Sequence, residues 1–305
     1  MRNNIIGILM ISALAGSAHA APPAVLTACG ALSSPGSYVL ANDVLTPASG
    51  VCFLITADVN LKMDGHSITA GPADAGVIRV GVRVTASAAG TRIQDGSIVG
   101  LETAPLNSGI GIRVESASGV RVTGMTITGN HIGVYIIQAD GNRFDGNNVS
   151  NNSDVGFQVD SGSDNNTFIG NQCDQNGSPG VGGCIFLANN TGNLVMSNTM
   201  NNNTVDGVIV SAGSSAANEI RNNVINGGLR GVALFITTGN TVRNNTITGA
   251  NVGISLAATA TANIISNNIV NGSASFDILD LGTVCDDTYK NNTFTTSSGP
   301  AGCIQ

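Results

Sequence analysis

Apolar and polar positions alternate in short runs along most of the chain, and these runs recur at nearly constant spacing. Each unit follows the pattern N-x-φ-x-x-N-x-φ, where φ is apolar, and G-φ-x-φ comes 13 to 20 residues after its start. Ten units begin at residues 61, 91, 120, 142, 166, 193, 218, 240, 263 and 287. Short alternating runs separated by Gly and Asn turns predict three brief strands in each unit.

The same positions stay apolar from unit to unit, so the units predict a stack. The third residue, for example, is apolar in every copy, from Met63 in the first unit to Tyr289 in the last. A lone unit of this size cannot bury its apolar face, whereas stacked units share one continuous core. We therefore predict an all-β fold, a single parallel β-helix of about ten coils.

Asparagines recur in register with this pattern and predict internal ladders. In such ladders, side-chain amides of successive coils hydrogen-bond to one another at a spacing of about 4.8 Å. One predicted row contains Asn142, Asn166, Asn193, Asn218, Asn240 and Asn263. The other contains Asn147, Asn171, Asn198, Asn223, Asn245, Asn268 and Asn292.

The first twenty residues have the features of a secretory signal peptide. Arg2 supplies the charge, the run IIGILMISALAG is apolar, and Ala18-His19-Ala20 is a small-residue cleavage site. We expect cleavage after Ala20 and a secreted or periplasmic protein. No later run reaches the roughly 18 apolar residues of a membrane span. The 12 Lys and Arg against 19 Asp and Glu disfavour a nucleic-acid partner.

Six cysteines in an exported chain indicate disulfides. Pairing between sequence neighbours is the simplest arrangement, and it joins Cys29 to Cys52, Cys173 to Cys184, and Cys285 to Cys303. The first and last pairs would staple the caps that a solenoid needs at its open ends. The predicted organisation is a signal peptide at 1–20, an N-terminal cap and first turn at 21–60, repeats at 61–284, and the last coil with its cap at 285–305.

The repeat, with its opening coil FLITADVNLKMDGHSITA, resembles the right-handed parallel β-helix proteins of the pectate-lyase-like superfamily. That group includes carbohydrate-binding and sugar-hydrolase repeats and NosD-type periplasmic proteins. The resemblance covers roughly residues 38 to 295 and implies a right-handed helix. It is specific for fold and says little about activity.

Outward-facing columns carry the candidate chemistry. One column reads Lys62, Arg92, Arg121 and Arg143, and then changes to Thr167. A second column, beside the later strand, contains Arg83, Arg113, Tyr135 and Gln158, followed by Phe186 and Ile209. Residues 62–143 hold seven Lys and Arg, whereas residues 144–220 hold none and carry seven acids. The surface is therefore predicted to be segregated by charge along the helix axis.

Where the basic and acidic segments meet, Asp140 and Asp164 occupy the same turn position in adjacent coils. Neighbouring carboxylates repel unless a cation, a proton or an arginine lies between them. One hypothesis is a calcium site made of Asp140, Asp145, Asp160 and Asp164, because Ca²⁺ takes carboxylate oxygens. The superfamily resemblance implies uronate lyases that pair such an ion with a basic residue, which makes Arg121, Arg143, Asp140 and Asp164 the catalytic candidates. The other hypothesis is a solvated charged face.

The substrate-binding candidates are Arg83, Arg92, Arg113, Tyr135, Gln158 and His131. His131 is predicted to lie in a turn two residues before Gly133, from which it could approach a surface groove. The polygalacturonase series and the Asp-Pro-His-Glu motif of alginate epimerases are both missing from the sequence. We therefore expect a non-catalytic module that binds a polysaccharide or a cell-surface glycan. The alternatives are a polysaccharide lyase-like enzyme and a structural, adhesin-like protein, and the oligomeric state stays open.

Overall fold

The computed structural model describes residues 22–72, 76–102, 108–180, 182–213 and 215–304, and in them the chain winds into one parallel β-helix. Three parallel sheets run along the helix axis, and from the second coil onward the chain visits them in the order sheet 1, sheet 2, sheet 3. The predicted all-β fold is confirmed. The predicted signal peptide lies outside the described residues.

Twelve strands of the described chain form sheet 1: Ala24–Leu26, Gly36–Leu40, Val59–Lys62, Arg92–Gln94, Arg121–Thr123, Arg143–Asp145, Thr167–Ile169, Leu194–Met196, Glu219–Arg221, Thr241–Arg243, Ile264–Ser266 and Thr288–Lys290. Twelve others form sheet 3: Gly30–Leu32, Val51–Ile55, Val80–Val84, Ile110–Glu115, Ile132–Ile137, Val155–Asp160, Gly183–Ala188, Asp206–Ser211, Arg230–Leu234, Val252–Leu256, Phe276–Asp280 and Ser297–Ser298.

Sheet 2 consists of two shorter ladders. The first contains Val44–Leu45, Ser67–Thr69, Ser97–Val99, Thr126–Thr128 and Asn148–Ser150. The second contains Thr199–Asn201, Val224–Asn226, Thr246–Thr248 and Ile269–Asn271. Single bridges from Gln172 to both flanking strands join the two ladders. A small additional pair, Ser215–Ala216 and Thr237–Thr238, lies between sheets 3 and 1.

Two coils precede the ten that the repeat predicted. Strands from residues 24–32 and 36–55 already belong to the sheets, so the N-terminal segment extends the solenoid. The first predicted unit was aligned wrongly. Leu61 pairs with Ile93, and Lys62 pairs with Gln94 rather than with Arg92. The reason is a longer corner after Lys62, where Asp64 and Gly65 both have positive φ.

The interior is a continuous apolar core to which strands of all three sheets contribute buried side chains. Within it three phenylalanines pack together: the rings of Phe144 and Phe168 stack at 5.3 Å, and Phe157 meets both edge-on. All three side chains are fully buried. Aromatic pairs at these distances add to the stability that burial alone provides.

Asparagine ladders line the corners of the coil, and both predicted rows are confirmed. In the row that begins at Asn147, for example, Asn171 Oδ1 accepts the backbone and side-chain N–H groups of Asn147 at 3.0 Å. A third ladder, which the sequence analysis missed, contains Asn130, Asn152, Asn176 and Asn203. These amides satisfy corner N–H and C=O groups that would otherwise be buried without partners.

All three predicted disulfides are present. The Cys29–Cys52 bond ties the first coil to the second, and the Cys285–Cys303 bond ties the last coil to the segment that follows it. Cys173 and Cys184 are both fully buried, so the middle bond is part of the core. Disulfides of this kind fit an oxidising compartment. Among the described residues, none belongs to a helix that could cross a membrane.

Candidate functional site

Three arginines form a row on the outer face of sheet 1. Arg121 pairs in register with Arg92 on one side and with Arg143 on the other. Neighbouring strands lie about 4.8 Å apart, so the guanidinium groups extend from backbones at that spacing. We call Arg92, Arg121 and Arg143 the arginine row. A cavity of about 250 Å³ lies against all three side chains.

The charge of the arginine row is only partly balanced. Arg143 Nη2 donates to Asp145 Oδ2 at 2.7 Å. Within the described residues, Arg92 and Arg121 have no ion pair. Their side chains are exposed. Like charges held on adjacent strands are mutually destabilising, and an anion placed between them would relieve that repulsion.

The second predicted column lies on sheet 3, on a different face of the coil. Its residues Arg83, Arg113, Tyr135, Gln158, Phe186 and Ile209 follow one another in register. The predicted column is therefore real, but the structure separates it from the arginine row. The predicted candidates form two sites rather than one.

The charges of the sheet 3 column are largely neutralised internally. Arg83 Nη2 donates to Glu115 at 2.7 Å, and Arg113 Nε lies 3.3 Å from the same carboxylate oxygen. The Arg113 guanidinium also sits 5.4 Å from the centre of the Tyr135 ring. This leaves less unbalanced positive charge here than on the arginine row.

Asp160 accepts hydrogen bonds from the other two polar members of the column. Tyr135 donates its hydroxyl proton to Asp160 Oδ2 at 2.9 Å, and Gln158 donates to the same oxygen at 3.1 Å. Burial, together with this carboxylate, raises the pKa of Tyr135 to about 12. The Tyr135 hydroxyl is therefore a neutral donor near neutral pH.

The four carboxylates of the predicted calcium site are not brought together. Asp145 lies on sheet 1 and Asp160 on sheet 3, while Asp140 and Asp164 lie in the turns between those sheets. No group of three or more His, Cys, Asp or Glu residues in the described chain is arranged to hold a metal ion. The four carboxylates therefore lie on different faces and corners of the coil rather than in one cluster.

Asp140 and Asp164 instead hydrogen-bond to the backbone of the next coil. Asp140 Oδ1 accepts the N–H of Asp164 at 2.8 Å, and Asp164 Oδ1 accepts the N–H of Thr191 at 2.6 Å. Their repulsion is relieved by these donors. In the described residues, no ion pair joins Asp140 or Asp164 to Arg121 or Arg143.

His131 lies at the corner between sheets 2 and 3. Its Nδ1 is 3.1 Å from the Ser153 hydroxyl, which donates to Glu102 at 2.6 Å, and its Nε2 is 3.6 Å from Asp154 Oδ2. His131 thus has several polar partners that its sequence position did not reveal. Of these, Asp154 reaches an open groove on sheet 3.

That groove, which we call the sheet 3 groove, has a volume of about 280 Å³. It is lined by Asp154, Val155, Gln158, Gly180, Gly182, Phe186, Val205, Asp206, Ile209 and Arg230. Of the polar residues that line the groove, the sequence predicted a binding role for Gln158 alone. The available signal was the glycine-rich stretch GSPGVGG at 177–183, in a unit whose interval to the next start is 27 residues.

Two carboxyl groups of the groove are affected by burial. Burial raises the pKa of Asp154, with the neighbouring His131 opposing the shift. Burial also raises the pKa of Asp206, while the ion pair with Arg230 opposes it. Both oxygens of Asp206 accept from Arg230, at 2.7 and 2.9 Å. A bidentate pair of this kind fixes both side chains.

Comparison with known proteins supports the architecture. The sequence matches the family described as "Right handed beta helix region" over residues 49–216, 108–270 and 181–304. No match is found among curated protein sequences.

Several solved structures share the fold at low identity. The A-module of mannuronan C-5 epimerase AlgE4 from Azotobacter vinelandii is 16% identical, with 91% of this chain and 89% of that chain covered and a TM-score of 0.58. DFA-IIIase from Arthrobacter chlorophenolicus A6 in complex with GF2 is 14% identical, with 83% and 70% covered and a TM-score of 0.56.

Tailspike protein 2 of Escherichia coli O157:H7 bacteriophage CAB120 is 14% identical, with 83% of this chain but 43% of the tailspike covered and a TM-score of 0.58. At these identities the similarities establish the fold alone.

Proposed function

The chain belongs to the right-handed β-helix family, and we propose that it binds an acidic polysaccharide through the arginine row on sheet 1. The observation that carries this proposal is the in-register pairing of Arg92, Arg121 and Arg143 on adjacent strands, two of them without an ion pair in the described chain. The similar structures include a mannuronan epimerase and a phage tailspike, which is consistent with a carbohydrate ligand.

The geometry of the row suits a linear polymer with regularly spaced carboxylates. The arginines follow the helix axis, so a chain lying along that axis would meet one guanidinium per coil, at intervals of about 4.8 Å. The planar fork of arginine matches a carboxylate through two parallel hydrogen bonds. Gln94 and Thr123, which also line this cavity, could hydrogen-bond to sugar hydroxyls.

The charge distribution favours attraction of a polyanion to the arginine row rather than to the surface as a whole. The whole chain carries a formal charge of −7, so a polyanion would be repelled by most of the surface. Of the seven Lys and Arg between residues 62 and 143, Arg92, Arg121 and Arg143 lie side by side on sheet 1 and concentrate positive charge there. We expect binding to weaken as salt is added, because exposed charges are screened within about 10 Å at 0.1 M ionic strength.

The test is calorimetric titration of the disulfide-bonded protein with oligogalacturonate at several salt concentrations. Replacing Arg121 with Ala should weaken binding about 10- to 100-fold, since a hydrogen bond to a charged group contributes roughly 1.5–3 kcal/mol. Arg243→Ala is the matched control. It removes one arginine from the same sheet, but this arginine is already paired with Glu219 at 2.6 Å.

Neutral dextran should not bind to the arginine row. Equal affinity of the parent protein and the Arg121→Ala variant for oligogalacturonate would refute the proposal. The same mixtures, followed by ultraviolet absorbance, examine the lyase alternative, since cleavage by elimination leaves an unsaturated, absorbing product. Binding without that absorbance would assign the chain a non-catalytic role towards this polymer.

A further inference from the structure

The sheet 3 groove differs in chemistry from the arginine row and is not explained by the proposed function. It lies between Asp154 and Asp206, which belong to coils separated by one intervening coil. With strands about 4.8 Å apart, the two backbones are separated by roughly 10 Å. The groove is therefore wide enough along the axis for one ring-sized ligand.

Gly182 and Gly183 stand at the start of the strand in the intervening coil, and Gly182 lines the groove. Gly182 has a φ of +81°, and a Cβ built there would lie 1.6 Å from the Asp154 carbonyl oxygen. A Cβ on Gly183 would lie 2.2 Å from the Asp206 carbonyl oxygen. Only glycine fits these two positions without a movement of the backbone, so neither position contributes a side chain to the groove.

The apolar part of the groove is a small platform. Phe186 and Ile209 are consecutive members of the outward column on sheet 3, and both are partly exposed. Val155 and Val205 extend this surface. An exposed aromatic ring beside a polar rim offers a stacking face for the C–H side of a sugar ring.

The polar part of the groove does not favour an anion. Arg230, its one cation among the described lining residues, is fully engaged by both oxygens of Asp206, and its guanidinium lies 4.6 Å from the centre of the Phe235 ring. Asp154 adds a carboxyl group that would repel an acidic ligand. What remains for a ligand is the Asp154 carboxyl group and the side chain of Gln158.

We propose that the sheet 3 groove binds a neutral pyranose residue, stacked on Phe186 and held by its hydroxyls at Asp154 and Gln158. Hydroxyl groups donate well to a carboxylate, and such charge-assisted bonds are the strong ones. The neighbouring Tyr135 hydroxyl and Asp160 carboxylate continue the polar rim, since Gln158 is bonded to Asp160 at 3.1 Å. This site does not depend on the arginine row.

The test is saturation-transfer NMR of the disulfide-bonded protein with glucose, galactose, mannose and rhamnose, each also presented as a methyl glycoside, and with galacturonate as the acidic comparison. We expect at least one neutral sugar to receive saturation and to bind more tightly than galacturonate. Ile209→Trp, which fills the groove without touching its polar groups, should abolish the signal.

Two further variants separate stacking from hydrogen bonding. Phe186→Ala should weaken binding about tenfold, and Asp154→Asn about 10- to 100-fold. Their matched controls are Leu194→Ala, which removes an outward apolar side chain from sheet 1, and Asp95→Asn, which removes an exposed carboxylate at a left-handed corner that asparagine tolerates. Both controls should bind like the parent.

The proposal would be overturned if no neutral sugar received saturation, or if Ile209→Trp and Phe186→Ala bound as tightly as the parent. Because Phe186 and Ile209 point outward, these variants should keep the fold, which circular dichroism would verify. Arg121→Ala should leave the neutral-sugar signal unchanged. Failure of the arginine row and failure of the sheet 3 groove are therefore distinguishable.

Discussion

One asparagine ladder ends in a carboxylic acid, and this end should make the stability of the protein depend on pH. Asp287 occupies the ladder position that follows Asn263, and its Oδ1 accepts the backbone and side-chain N–H groups of Asn263 at 2.7 and 3.0 Å. Its Oδ2 is buried without a hydrogen-bond partner in the described chain. Burial, reinforced by the neighbouring Asp280 and Asp286 carboxylates, raises the pKa of Asp287 from 3.8 to about 6.

The sign of the effect follows from the direction of this shift. Below pH 3.8 the group is protonated in both the folded and the unfolded chain, so the folded state suffers no penalty. As the pH rises from 3.8 to about 6, the unfolded chain ionises this group while the folded chain keeps it protonated, so stability falls; above about 6 the loss is complete.

A shift of about two units corresponds to about 3 kcal/mol at 1.36 kcal/mol per unit. We halve this to roughly 1.5 kcal/mol, because solvent at the end of the solenoid screens part of the interaction.

Asp287→Asn should remove the penalty. In earlier coils the ladder amide donates to a backbone carbonyl, as Asn240 does to Ser215 at 3.3 Å. An asparagine at position 287 would likewise place an N–H donor where Asp287 Oδ2 now has no partner. We expect the variant to be more stable than the parent by about 1.5 kcal/mol at pH 7 and nearly equal to it at pH 4.

The measurement is urea unfolding with the disulfides intact, at intervals between pH 4 and pH 7. Other buried acids such as Asp154 and Asp206 also titrate, but they are common to both proteins, so the difference between the two curves isolates position 287. Asp95→Asn, at an exposed site that does not act on Asp287, is the control and should show little difference. A constant difference across this pH range would refute the reasoning.

Two further predictions concern the core. Phe168→Ala should lower the free energy of unfolding by about 3–5 kcal/mol, because it leaves a cavity beside Phe144 and Phe157. Phe186→Ala, on the surface, should lower it much less, and urea titration measures both values. Asn198→Ala should cost roughly 2–4 kcal/mol because it leaves buried N–H groups of Asn171 without an acceptor. Exposed Asn251→Ala is its control, and an equal loss at both asparagines would contradict a ladder role.

The sequence predicted the solenoid well because its information is periodic. Asn147 and its equivalents keep one position through seven consecutive units, so their shared environment was visible without coordinates. The third ladder, which contains Asn130 and Asn152, was missed because it occupies only four coils and lies outside the aligned pattern. The first unit was displaced by two residues because its corner at Asp64 and Gly65 is longer than the others.

The candidate site was harder to predict, since it depends on the direction of side chains and on empty space. Asp140 and Asp164 are adjacent in the repeat, but a turn carboxylate can point to solvent, to a metal or to the next backbone, and the spacing does not distinguish these. The sheet 3 groove lies where Gly180 and Gly182, which carry no side chain, line the space between Asp154 and Asp206. A periodic pattern describes the residues that repeat, whereas this cavity comes from a coil that departs from the repeat.

The asparagine ladders also have a consequence for how the length of this molecule can change. Each ladder residue bonds to the equivalent residues of adjacent coils and to nearby backbone carbonyls, so the cross-section at one coil is compatible with that at the next. Duplicating a segment such as 218–239 would add one layer of about 4.8 Å while preserving every corner contact. The axial distance between the arginine row and the C-terminal coil can thus change in discrete steps. Tandem duplication alone could match this distance to ligands of different repeat lengths.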